Sequence, residues 1–141
     1  MLRKSIFFVI AFMVIGSTVF AQDTRGWPPV AMLNRYNLTG MNLPTGMTDP
    51  IWNEEKDVSC LHIRFSGGDN VFPAIKNWLA SNNWVFVEEE TYMRDVTIRY
   101  EKEGIDFDGD KRLFAMEISF DGRRGYIRSA LGRMIWDDWD D

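Results

Sequence analysis

A two-residue apolar repeat governs the middle of this chain. Leu61, Ile63 and Phe65 alternate with Cys60, His62 and Arg64, which is the period of a strand with one face buried. The same pattern returns where Val96, Ile98 and Tyr100 alternate with Thr97 and Arg99, and again where Phe114, Met116, Ile118 and Phe120 alternate with Ala115, Glu117 and Ser119. Residues 84–88 add a fourth apolar run rich in strand formers. Alternation of this kind belongs to antiparallel sheets with one dry and one wet face.

Two segments carry helical spacing instead. Val71, Ile75, Trp78 and Leu79 fall on one side of a helix, Asp69 or Asn70 is placed to cap it, and Pro73 sits in the first turn, where its missing N–H does least harm. After Asp121-Gly122, the positions Ile127, Leu131, Met134 and Ile135 repeat that spacing and predict a second helix, with residues 126–129 as an added strand the alternative. The expected fold is therefore α+β: an antiparallel sheet of about four strands with two helices on one face, in the order β-α-β-β-β-α. Residues 22–56 hold four of the five prolines and show no sustained periodicity, so they read as an irregular N-terminal arm packed on the domain, available to cover the second sheet face.

At the start of the chain, Arg3 and Lys4 precede an uncharged apolar run from Ile6 to Ile15, and Ala21 supplies a small residue for cleavage. Residues 1–21 thus read as a bacterial signal peptide. The run is shorter than the ~20 residues of a spanning helix, so no stable membrane insertion is expected once it is removed. The only cysteine, Cys60, is too far along to be lipidated as a first mature residue. The location expected is periplasmic or secreted, with residues 57–141 as a single domain ending in an acidic Trp/Asp tail. A lone cysteine also rules out an internal disulfide, and the core must be apolar packing. Without Arg3 and Lys4 the chain carries 14 cations against 21 acids, a net charge of −7, which disfavours nucleic acid as a partner.

The chemistry-bearing residues point in several directions. Cys60 and His62 project from one strand face, but parallel side chains ~6.5 to 7 Å apart make a poor nucleophile pair, and zinc would need carboxylates to complete its shell. Trp136 and Trp139, set among Asp137, Asp138, Asp140 and Asp141, form a candidate aromatic patch for a sugar or protein partner, as against one ring tucked under the sheet. Arg124 and Arg128 lie in a locally basic stretch suited to an anionic ligand or to the acidic tail itself. Asp106, Asp108 and Asp110, followed by Glu117, match loop positions 1, 3, 5 and 12 of an EF-hand and make calcium the one cofactor suggested. The match fails at position 6, where Lys111 stands in place of glycine, and the flanks alternate as strands, so an acidic hairpin turn with Glu117 on the outer sheet face is the competing reading. No phosphate loop, dinucleotide fingerprint, nucleophile elbow or HExxH occurs. The functional expectation is a non-enzymatic extracytoplasmic binding domain for an envelope protein or glycan. A small secreted hydrolase using carboxylates and a weak calcium-binding extracellular module are the alternatives.

Overall fold

The computed structural model describes residues 22–132, and over that span it is a single antiparallel sheet of seven strands. The strands are β1 (Thr24–Arg25), β2 (Met47–Glu55), β3 (Cys60–Gly67), β4 (Val85–Tyr92), β5 (Asp95–Ile105), β6 (Lys111–Phe120) and β7 (Arg124–Leu131), and the helices are α1 (Val30–Arg35) and α2 (Val71–Ser81). In space the strands run β1-β2-β3-β7-β6-β5-β4. From β3 the chain crosses along α2 to the far edge, then returns as a meander whose last strand closes against β3.

This corrects the expected α+β fold with four strands and the order β-α-β-β-β-α: the protein is mostly β, with two short helices. Two local readings account for the difference. Ile127 and Leu131 have helical spacing, yet Ile127, Ser129 and Leu131 also alternate, and pairing on both sides decides in favour of strand β7. Tertiary hydrogen bonding outweighs a weak helical pattern in so short a window. The part of that expected helix beyond residue 132, like residues 1–21 and Trp136 and Trp139, lies outside the described residues.

The second correction is the irregular N-terminal arm, since residues 22–56 contain β1, α1 and β2. Their periodicity is hidden by a bulge between Thr48 and Ile51, where Asp49 adopts φ 51°. A bulge shifts the alternation by one residue, and a count of period two across it fails.

The core lies on the sheet face that carries Leu61, Ile63, Phe65, Ile98, Phe114, Met116, Ile118 and Ile127. Both helical segments cover this face. From α2 come Val71, Ile75 and Leu79, each fully buried, and from the segment around α1 come Leu33, Tyr36, Leu38 and Met41. Ser129 on this face donates to the Tyr36 carbonyl at 3.1 Å, and the Trp27 indole donates to the Met41 carbonyl at 2.9 Å. Two glycines permit these close approaches. A Cβ at Gly104 would stand 2.5 Å from the Asn37 amide, and one at Gly67 would meet Val71 and, at 2.9 Å, the Gly46 carbonyl.

With the dry face covered on one side, the second face is left to polar residues, and the sheet bends over it. Bulges interrupt β2 and β4, the outer long strands, and bulges increase local twist and bend. The consequence is that side chains of β2 and β4, separated by four strands in the sheet order, line one cavity. At its far edge β4 is exposed along its whole length; Glu88, Glu89 and Glu90 put charge where an uncapped edge would otherwise invite pairing. No helix among the described residues is long and apolar enough to cross a membrane.

Candidate functional site

Register places the polar face residue by residue. Opposite one another across β2, β3 and β7 stand Asn53, His62 and Arg128, then Ile51, Arg64 and Tyr126, with Ser66 facing Arg124. Across β7, β6 and β5 the rows continue as Arg128, Glu117 and Arg99, and as Tyr126, Ser119 and Thr97. On β4, Glu88 faces Arg99 and Glu90 faces Thr97.

The first of these rows is a closed ionic ladder. Glu117 is fully buried, and an ionised carboxylate there requires partners. Its Oε2 accepts from Arg99 Nε at 3.3 Å, and its Oε1 accepts from the Tyr126 hydroxyl at 2.8 Å with Arg128 Nη1 3.8 Å away. Arg99, itself buried, also pairs with Glu88. Burial, then the adjacent Glu117 charge, raises the Tyr126 phenol above its ordinary pKa, so its proton stays in the bond to Glu117.

Beside the ladder lie Cys60 and His62. Cys60 is fully buried with Ala115 and Ala130, and burial pushes its thiol up to about 11. A thiol so placed is protonated and inert. The His62 imidazole is lowered by burial and then by Arg128, with Glu55 acting in the opposite sense. His62 meets the Tyr126 ring edge to face, with centroids 5.7 Å apart, so Tyr126 is held from two sides.

The second row opens into a cavity of about 760 Å³. Its floor is Arg64, Ser66, Arg124, Tyr126, Ser119 and Thr97, from the central strands. Its walls are Asp49 and Ile51 from β2, and Asp95, Glu90 and Tyr92 from β5 and β4. Arg64 pairs with Asp23, which also accepts from the Asn53 amide at 2.8 Å. The Asn53 bond, with Arg64 adding to it, holds the Asp23 carboxyl below the usual carboxylate range. At the rim, Tyr92 is 72% and Met93 83% exposed, and Met93 takes φ 57° in the β4–β5 turn. A methionine in the left-handed region is strained and turns the hairpin tip at the mouth of the cavity.

The residues singled out from sequence separate in space. Arg124 lines the cavity, whereas Arg128 belongs to the ladder. Glu117 is also in the ladder, far from the turn at residues 106–110 that links β5 to β6. In that turn Asp106 is buried, and its Oδ1 accepts the backbone N–H groups of Asp108 and Asp110, each at 2.9 Å. Its other oxygen is 3.6 Å from Arg112. Asp108 and Asp110 are exposed. Among the described residues no three His, Cys, Asp or Glu side chains come together to hold a metal ion.

Asp49, Glu90, Tyr92, Asp95 and Tyr126 were not distinguished by sequence. The signal present was alternation itself: Arg64, Ser66, Thr97 and Ser119 occupy the polar phase of the same strands whose apolar phase marks the core. No protein-family model matches the sequence, no curated protein matches it, and no solved structure matches the fold.

Proposed function

We propose that this is a non-enzymatic binding domain acting outside the cytoplasm of a bacterium, and that it receives a glycan in the concave polar face of its sheet. The observation that carries the reading is the cavity. Its volume of about 760 Å³ lies in the range of ligand pockets, ~300–1,000 Å³. Its lining combines two tyrosine rings with three carboxylates and three serine or threonine hydroxyls, groups that stack on sugar rings and accept or exchange hydrogen bonds with sugar hydroxyls. Tyr126 is fixed by Glu117 and His62 before any ligand arrives, and a rigid aromatic wall loses little entropy on binding. Export rests on the basic, apolar and small-residue pattern of residues 1–21.

The test is binding of the intact protein to isolated envelope polysaccharides, with Tyr92→Ala as the control. Tyr92 is exposed, so its removal should leave the melting midpoint in place while weakening binding about tenfold, by loss of a stacking contact worth ~0.5–1.5 kcal/mol or more. Turnover of a bound polymer, abolished by Glu90→Gln, would replace this reading with the hydrolase alternative.

A further inference from the structure

The hydroxyls on the cavity floor send their protons one way. Glu117 accepts from the Tyr126 hydroxyl at 2.8 Å, and a carboxylate can only accept, so Tyr126 is the donor. The phenol oxygen is then left to accept from Ser119, its partner across β6 and β7. Ser119, donating there, accepts in turn from Thr97 at 3.3 Å. Thr97 is 5% exposed and lines the cavity. With its one proton committed to Ser119, its hydroxyl offers the cavity lone pairs only. The buried Glu117 charge thus makes the centre of the floor an acceptor.

The charges around this floor act in the same sense. Both arginines lining the cavity already have counter-charges: Arg64 pairs with Asp23, and Asp121, whose carboxylate accepts the Arg124 backbone N–H at 2.8 Å, acts electrostatically on the Arg124 side chain. Asp49, Glu90 and Asp95 on the walls form no ion pair among the described residues, so the excess charge of the cavity is negative. Register gathers two of these acids around a ring. Asp95 is the antiparallel partner of Tyr92, and Glu90, two residues from Tyr92 on β4, projects from the same strand face. An aromatic ring flanked by two carboxylates holds an ammonium through its π face and through charge-assisted hydrogen bonds. Among the described residues no three acids come together to chelate a metal ion, so a positive charge suited to this wall is one carried on an organic ligand.

Resting on the glycan reading of this cavity, we propose that its ligand is a saccharide carrying a free ammonium, an amino sugar whose nitrogen is not acylated. The ammonium sits over Tyr92 and donates to Glu90 and Asp95, and a ring hydroxyl donates to Thr97. An acetamide in the same place would lack the charge and bring one N–H to two carboxylates.

The experiment compares oligomers of glucosamine and of N-acetylglucosamine of equal length, with isolated envelope polysaccharides and oligolysine alongside, by calorimetry on the intact protein. The expected result is binding of the free amine at least about tenfold tighter than of its N-acetyl form, the scale of a charge-assisted hydrogen bond, with the preference falling as salt screens the charge. Glu90→Gln and Asp95→Asn should each cut that preference without moving the melting midpoint, since both residues are exposed. Asp108→Asn, which removes the same charge from an exposed turn outside the cavity, should leave it unchanged. Equal binding of the two forms, tighter binding of the N-acetyl form, or the same loss in Asp108→Asn overturns the proposal and leaves the glycan reading intact. If neither form binds while envelope polysaccharides do, the proposal falls and the glycan reading stands. Binding of oligolysine alone, or of no compound, removes both.

Discussion

At the scale of single residues, Glu117 decides most. It is the fully buried acid of the described residues, and it is held by Arg99, Arg128 and Tyr126. Removing one member of such a group leaves charges buried without a partner, which costs about 3–5 kcal/mol. Glu117→Ala should therefore lower the denaturation midpoint strongly, and an unchanged midpoint would show that the ladder contributes nothing to folding. His62 gives a pH dependence of defined sign. Its folded pKa lies below the unfolded value near 6.5, so the unfolded state binds the extra proton first. Stability is complete above pH ~6.5 and declines as pH falls through the window between the two values. His62→Gln should flatten the melting curve against pH in that window, compared with the parent. A slope that survives the substitution would belong to groups other than His62.

At the scale of elements, α2 is anchored by Val71, Ile75 and Leu79. Ile75→Ala should cost about 2–5 kcal/mol as a buried large-to-small change, read as a shift of the urea midpoint at constant slope. The β5–β6 turn is organised by the Asp106 carboxylate acting on its own backbone, a use that competes with cation binding. We therefore expect equal melting temperatures in chelator and in about 1 mM calcium, a level that fills weak extracellular sites. A rise with calcium that disappears in Asp108→Ala would reinstate the metal reading. These two elements also mark what could be read from sequence. Strands β3, β5 and β6 and helix α2 were legible because each has an unbroken period and one buried face. Strand β2 was not, because its bulge at Asp49 breaks the period, and β7 was not, because its identity depends on partners distant in sequence. The cavity was illegible for the same reason: six strands contribute to it, and only register brings Asp49, Arg64, Glu90 and Tyr126 together.

For the molecule as a whole, residues 22–56 are structural and not a tether. They supply two strands and Leu33, Tyr36, Leu38 and Met41 to the core. A chain beginning at Asp57 should expose the edge of β3 and the apolar face above it, and should associate. Size-exclusion chromatography would show this, and a stable monomer would contradict it. The same curl of the sheet that closes this core on one face opens the cavity on the other, so fold and proposed site stand on one geometry. The most direct measurement is amide chemical-shift mapping of the intact protein during titration with an envelope oligosaccharide. The account predicts that the shifts cluster on Asp49, Ile51, Arg64, Ser66, Glu90, Tyr92, Asp95, Arg124 and Tyr126. Shifts confined to α2 or to the exposed edge of β4, or no shifts at saturating sugar, would contradict it.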